Sequence, residues 1–473
     1  MSKANHTPEC AGTGAARVVL ISTYELGRQP FGLASPAAWL RHGGAQVTCL
    51  DLSREAFRED AVCAADLVAF YVPMHTATRL AVPLIALVRK LNPRAHICFY
   101  GLYASMNEAY LRGLGVHSVL GGEFEEGLAH LAARVRHAGQ SNGSAISAGQ
   151  AEPVTSLARL KFHVPDRTGL VPLNQYAHLV VPGGEHRTVG YTEASRGCKH
   201  LCRHCPVVPV YDGVFRVVDR EVVFEDIRRQ VAAGAEHITF GDPDFFNGIS
   251  HALAIVEGLH YEYPHITYDV TIKIEHLRKH RKHLARLRDT GCLFVTSAVE
   301  SVDDEVLTLL EKGHTRADFL AVVKDFRALG LILQPTFVPF TPWTTLDGYL
   351  DLLRVLAEEG LEENVAPIQL GIRLLIPAGS RLLELPDVPQ LPFDSEALVY
   401  PWRHADPRVD ALSEEIQEIV ATAEKAKRTR SASFARIKRA AAAAAGTPEK
   451  SLPPSPPLLA RAAIPYLNEP WYC

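Results

Sequence analysis

Short apolar runs alternate with amphipathic stretches along most of the chain, a pattern that predicts strands and helices in turn. RVVLIS (Arg17–Ser22), QVTCLDL, LVAFYVP (Leu67–Pro73), HICFYG (His96–Gly101) and HSVLGG read as buried strands. Helical patterns lie between them, one ending at His42-Gly43-Gly44 and another formed by TRLAVPLIALVRKL. Strands separated by helices imply an α/β unit with a parallel, doubly wound sheet over residues 17–138. Such sheets bind ligands at the carboxyl ends of their strands, so Thr23–Gly32, Tyr71–Thr76 and Gly101–Ser105 are expected around any pocket. His75 falls at one of these ends, where a lone histidine is expected to be structural.

Residues 1–16 are small and polar and expected to be disordered, and 139–160, with the run QSNGSAISAGQ, has the composition of a linker. The Pro-punctuated lead-in FHVPDRTGLVPLNQYAHLVVPGG suits a crossing between domains. A second series, over 161–400, opens with the strand HRTVGYTEAS and continues with EHITFGD, ITYDVTIKIE, CLFVTSAVES, LILQPTFVPF and APIQLGIRLLIP. Six such strand–helix repeats imply an open, partial (βα)6 TIM-like barrel, with its chemistry at the carboxyl ends of the strands. Gly234, Gly291, Gly330 and Gly360 stand just past helical patterns, where the left-handed conformation favours glycine. Residues 401–445 read as a helical region placed to cover the cleft, and 446–473 as a Pro-rich tether with an aromatic, Cys-bearing end.

The chain has 473 residues and 47% hydrophobic content, enough for two or three domains with proper cores. A net charge of −4 gives no electrostatic reason to expect nucleic acid or an anionic membrane as partner. Without a signal-peptide layout or an apolar stretch of about 18 residues, the expected location is the cytoplasm. Nine cysteines, three of them clustered, fit a reducing compartment and a metal site rather than a disulfide framework.

The cluster is GYTEASRGCKHLCRHC (Gly190–Cys205), in which Cys198, Cys202 and Cys205 stand at C-x3-C-x2-C after the first barrel strand. Thiolates select iron–sulfur clusters and zinc; a zinc knuckle would take His200 or His204 as fourth ligand, while three cysteines without a fourth leave one iron of a cluster open. The motif resembles that of the radical S-adenosylmethionine (SAM) enzymes. The resemblance implies a 4Fe–4S cluster on the three cysteines, SAM on the open iron, and one-electron cleavage to a 5′-deoxyadenosyl radical that abstracts hydrogen from an unknown substrate. It also implies an electron donor such as a flavodoxin or ferredoxin. His204 occupies the place of the family's usual aromatic residue behind the adenine.

The other strand ends carry polar residues out of pattern. Strand two ends in GDPDFFN, where the family's contact to the SAM amino group falls, and a carboxylate suits an ammonium: Asp242 or Asp244. Lys273 and Glu275, two apart on strand three, share one face. Strand four ends Ser297-Ala298-Val299-Glu300-Ser301 and resembles the Glu-Ser end near the SAM ribose and carboxylate, which nominates Ser297 and Glu300. Gln369 and Arg373 share a face of strand six, where Arg373 suits either a substrate carboxylate or a salt bridge holding the barrel.

The first domain resembles the cobalamin-binding-like, Rossmann-like domain that precedes many radical SAM cores, through GLYAS followed by GVHSVLGGEFE. Its first loop, STYELGRQPFG, lacks the Asp-x-His-x-x-Gly motif. Two readings stand: a cobalamin site with no protein histidine on cobalt, leading to methyl transfer, and a relic domain that shapes the substrate cleft without a cofactor. More narrowly, ITFGDPDFFNG, TIKIEHL, SAVESVDDEVL, PTFVPFTPWTT, IRLLIPAGS and the EPWYC end look like the radical SAM family named for its Cys-Cys/Sec-Ala-Glu-Pro tail. That resemblance implies that the chain, stopping at Cys473, is cut at a UGA codon read as selenocysteine. The competing classes are a non-catalytic metal-binding scaffold, which needs no polar strand ends, and an electron-transfer protein, which needs a closed four-Cys cluster.

Overall fold

The computed structural model describes residues 14–140, 152–181, 184–388, 392–447 and 466–467. The expectations for residues 1–13, for most of the linker run and for the Cys473 tail fall outside the described residues.

The first sheet is built from β1 (Arg17–Ser22), β2 (Gln46–Asp51), β3 (Leu67–Tyr71), β4 (His96–Tyr100), β5 (Ser118–Gly122) and β6 (Thr155–Ser156). All pairings are parallel, in the order β2-β1-β3-β4-β5-β6. β6 comes from the stretch expected to be a linker and extends the sheet beside Gly121 and Gly122. β3 is buried along its whole length, as a central strand covered on both faces must be. Helices α1 (Phe31–His42) and α2 (Glu125–Gln140) pack together on one face. The helix expected over TRLAVPLIALVRKL is broken in two at Val82–Pro83, because proline cannot donate the interior helix bond. The order 2-1-3-4-5 places a topological switch point between β1 and β3.

Next come β7 (His178–Val180), β8 (His186–Thr192), β9 (Ser195–Gly197), β10 (Phe215–Val217), β11 (His237–Phe240), β12 (Thr267–Thr271), β13 (Cys292–Glu300), β14 (Leu333–Phe337) and β15 (Tyr466–Leu467). The second sheet has the order β14-β13-β12-β11-β8-β7-β15. Its five strands from β8 to β14 are parallel, and β7 and β15 add antiparallel at one edge. Helices that include α3 (Arg220–Ala232), α4 (Ile249–Glu262), α5 (Ile274–Lys279), α6 (Arg316–Leu329) and α7 (Leu346–Glu358) connect the strands, and the largest apolar core lies between helices and sheet.

The structure corrects the sixth barrel strand. Pro367–Leu370 forms a 3-10 turn, and strand pairing is reduced to one parallel bridge between Phe340 and Arg373. α8 (Pro407–Lys425) and α9 (Arg430–Ala445) pack against each other at this open side, α9 against α7 as well. The lead-in over 161–181 does cross between the sheets. Arg167 bonds Asp226, Gln29 and the Tyr191 carbonyl, and Tyr176 donates to Asp51. No helix among the described residues is long and apolar enough to cross a membrane.

Candidate active site at the cysteine loop

β8 delivers the chain to the sheet's carboxyl edge, and β9 pairs antiparallel with β10 just before the first cysteine. Gly197 has φ of 71°, and a Cβ there would lie 2.3 Å from the Val214 carbonyl oxygen, so only glycine fits before Cys198. Cys198 and Cys202 are buried and Cys205 is half-buried. The loop is pinned from three sides. Lys199 donates its amide to Asn247 Oδ1 (3.2 Å) and its ammonium to the Asn247 carbonyl (2.7 Å). Arg203 donates to the Leu309 and Leu310 carbonyls and pairs with Glu311. Arg381 bonds the Leu201 carbonyl and Glu311.

Thiolates sharing one zinc at about 2.3 Å stand about 3.8 Å apart. Among the described residues the three sulfurs form no group of ligand atoms within 4.8 Å of one another. That separation suits a multinuclear cluster better than a single ion. The surroundings fit an anionic, sulfur-rich group. Lys273 Nζ is 3.6 Å from Cys202 Sγ. Lys312 is buried, and although burial works against its charge, Glu300, Cys202 and Cys205 hold it above the ordinary lysine value. Asn247 keeps a buried amide nitrogen without a partner next to Cys198. Burial pushes the Cys205 thiol up to about 12, so a thiolate there requires a metal or ammonium partner.

The residues nominated from sequence divide into those the structure brings to this loop and those it does not. Glu300 is enclosed, and its carboxylate lies 3.0 Å from His204 Nε2 and 3.3 Å from Lys312 Nζ. Burial alone would raise it, but Lys312 and His204 hold it down at about 2. A register shift after Ala298 and φ of 70° at Glu300 end the strand and turn this side chain inward. Lys273 and Glu275, expected on strand three, lie beyond it: β12 stops at Thr271, Lys273 stands at the N-cap of α5 and Glu275 lies in its first turn. They still meet, with Nζ 3.4 Å from Glu275 Oε2.

Asp242 turns back on the exit of β8, accepting from Ser195 Oγ and the Ala194 amide, and burial raises it to about 7. Asp244 caps the following 3-10 turn and faces His200 and His276. Ser297 is not at the site: it sits between Val295 and Val299, whose side chains belong to the main core, while Thr296 faces the barrel interior. Gln369 accepts from the Phe337 amide and lines that interior. Arg373 pairs with Asp410 (2.7 Å) and stacks on Trp402, 3.5 Å from its ring centre, away from the cysteines. His75 Nε2 meets the Ala397 carbonyl, a structural contact.

Sequence reasoning missed Asn247, His276, Lys312 and His314. Lys312 and His314 follow a short helix after β13, with no strand periodicity to mark them. Burial, with Lys312 and Lys273 beside it, holds His314 at about 4, so its ring is neutral at pH 7.

Two cavities lie in this part of the molecule, of which the second is lined by residues flanking the cysteine loop. One, about 380 Å³, occupies the barrel interior, lined by Thr239, Asp269, Thr271, Thr296, Gln334 and Thr336 among others and closed by α8, α9 and Tyr466. The other, about 230 Å³, lies between the carboxyl edges of the two sheets, lined by Glu25, Arg28, Gly32, Tyr71, Tyr191 and Arg196 among others. Arg28 and Gly241 border both.

Residues 192–362 match the radical SAM superfamily. Curated relatives include the ribosomal protein uS12 methylthiotransferase RimO of Parabacteroides distasonis, 22% identical over 36% of this chain and 41% of its own length. Another is the hopanoid C-3 methylase of Methylococcus capsulatus, 23% identical over 67% of this chain and 62% of its own length. The chain thus spans less than two thirds of either relative. Among solved structures, the cobalamin-dependent SAM radical enzyme OxsB, with aqua-cobalamin and SAM bound, matches at TM-score 0.68 and 16% identity, over 86% of this chain and 67% of that one. The radical SAM methyltransferase TsrM from Kitasatospora setae, with cobalamin and a 4Fe–4S cluster bound, matches at TM-score 0.57 and 17% identity, over 73% of each chain. Residues 192–362 therefore form a radical SAM domain, and the two sheets together have the fold of the cobalamin-dependent radical SAM enzymes.

Proposed function

We propose that this chain is a radical SAM enzyme whose cluster is held by Cys198, Cys202 and Cys205. The observation that carries the reading is the convergence of three thiols, two buried ammoniums and an unpartnered amide on the carboxyl edge of a half-barrel. The bound cluster and SAM supply one-electron cleavage of a sulfonium and a hydrogen-abstracting radical. The protein's part is placement. Lys273 and Lys312 offset the charge of the sulfur-rich group, Glu300 fixes His204 and Lys312 beside it, and the barrel interior holds substrate where water is scarce. Asp242 and Gln369 are proposed as further cofactor-side residues, with Asp244 and Glu275 turned toward His200, and Ser297 and Arg373 the least favoured by their surroundings. Anaerobic reconstitution with SAM and dithionite tests the reading: 5′-deoxyadenosine and methionine are expected, and their absence from protein carrying a full cluster refutes it.

The first sheet favours a second reaction, methyl transfer through cobalamin. Its switch point faces the cysteine loop, and Glu25 Oε2 and Arg28 Nε, both in residues lining the cleft, are buried without partners. The loop Thr23–Gly32 offers no histidine to cobalt. The cleft, about 230 Å³, is below the ~300–1,000 Å³ of drug-sized sites, so entry of a corrin entails displacement of side chains such as Tyr71. Retention of added hydroxocobalamin, with S-adenosylhomocysteine as product, supports this reaction; no retention leaves hydrogen abstraction.

Domain limits of 17–138, 161–400 and 401–445 are proposed, supported by the two sheets and the two terminal helices, with β6 and β15 joining those sheets from outside the limits. The seven described cysteines are all free thiols, which suits the proposed reducing cytoplasm; a flavodoxin- or ferredoxin-like donor is proposed from the cluster's need for one electron. Assignment to the Cys-Cys/Sec-Ala-Glu-Pro-tail family rests on the motifs quoted above, and Ala-Glu-Pro codons downstream of the Cys473 codon check it.

A further inference from the structure

His200 lies between two of the cluster cysteines in sequence, yet its ring turns away from them. Its Nε2 stands 3.3 Å from Asp244 Oδ2, and His276 Nδ1 stands 2.7 Å from the same oxygen. The three ligand atoms all lie within 4.8 Å of one another. Each is buried, and none makes a hydrogen bond of acceptable geometry, although the nitrogens are within ion-pair distance of the oxygen. Three buried ligand atoms that converge without well-formed hydrogen bonds among them suit an ion.

We propose that His200, Asp244 and His276 form a mononuclear site for a divalent transition ion of the zinc or iron(II) class, separate from the cysteine cluster. Bonds of about 2.0–2.2 Å put neighbouring ligand atoms of a tetrahedral ion about 3.4 Å apart; the His200–Asp244 pair already stands at 3.3 Å, and the His276–Asp244 pair, at 2.7 Å, opens on binding. Asp244 has one oxygen to give, because its Oδ1 already accepts the Phe246 amide at 3.1 Å. His200 is steered from behind by Glu275, whose Oε2 lies 3.4 Å from Nδ1, the carboxylate–histidine arrangement that orients metal ligands. Two imidazoles and one carboxylate prefer zinc, iron or cobalt to magnesium or calcium. The three residues come from the cysteine loop, the exit of β11 and α5, so one ion ties together the elements that frame the cluster. The site stands whether or not the cluster forms.

Elemental analysis of the full-length protein, reconstituted anaerobically and equilibrated with Zn(II), is expected to show one zinc per chain beyond the iron matched by sulfide. His276→Gln and Asp244→Asn, the latter keeping the Oδ1 cap, are expected to bind zinc at least tenfold more weakly while holding their iron and sulfide. The full chain carrying Cys198→Ala, Cys202→Ala and Cys205→Ala together is expected still to take one Co(II), with visible d–d bands and no thiolate charge-transfer band. Zinc retained equally by both variants, with circular dichroism confirming their fold, overturns the site, as does a wild-type protein that retains none. Loss of iron and sulfide with zinc retained counts against the cluster and not against this site.

Discussion

The carboxyl edges of the two sheets face each other and have opposite chemistry. The barrel edge gathers thiols with Lys273 and Lys312, so positive charge surrounds sulfur. The first sheet's edge gathers carboxylates: Glu25 after β1, and Glu123 and Glu125 after β5. Of these, Glu123 and Glu125 meet Arg196, which comes from the residues just before Cys198 and also pairs with Glu193. Burial raises Glu25, with Glu193 adding to the effect. One topological rule, ligands at strand carboxyl ends, has produced an edge prepared for a ligand and an edge largely neutralised by the neighbouring domain's arginine. Buried ion pairs of this kind add little net stability but penalise any arrangement that separates the partners. The clamp therefore fixes how the first sheet sits over the cysteine loop.

The largest effect expected is at the barrel edge. Cys198→Ala, Cys202→Ala or Cys205→Ala should each remove most of the roughly four irons and matching sulfide of the cluster, read by iron and sulfide analysis. At the opposing edge, Arg196→Ala leaves Glu123 and Glu125, both buried, without their guanidinium. A loss of ~3–5 kcal/mol in denaturant unfolding is expected, and a loss below 1 kcal/mol would mean that the clamp is ornamental.

Glu300→Gln tests whether the barrel edge works through charge. It should lower SAM cleavage by roughly 10–100-fold, as removal of a supporting group around a metal site does, with iron content unchanged; equal loss of iron would make Glu300 structural. The smallest effect belongs to the lead-in that joins the two regions. Tyr176→Phe strips the buried Asp51 carboxylate of a 2.9 Å hydrogen bond, for an expected ~1–3 kcal/mol, with cluster content and SAM cleavage intact.

Asp242 adds a pH signature to the same comparison. Its folded value is about 7 against an ordinary 3.8, raised by burial, so the folded state binds the proton more tightly than the unfolded one. Its contribution to stability is therefore greatest below the ordinary value and falls as pH rises toward 7. Asp242→Asn should flatten that decline in unfolding curves taken between pH 4 and pH 8.

The sequence by itself determined the strand–helix alternation, the positions of five parallel barrel strands, the glycines that end helices and the cysteine triplet, because each is written in spacings of a few residues. Gly234, Gly291, Gly330 and Gly360 all adopt positive φ for that reason. What tertiary structure alone decided was facing and partnership. Ser297 and Glu300, three apart on one strand, take opposite faces by the strand's alternation, but which face meets the core and which meets Lys312 was set by the elements packed on each side. The sixth strand dissolved into a turn at Pro367, where a missing amide removes a ladder bond. Arg373 was claimed by Asp410 and Trp402 from a helix and loop distant in sequence. Lys312 and His314, in a loop without periodicity, and His276, in α5, became site residues only through a proximity set by packing between elements and not by the residues within any one of them.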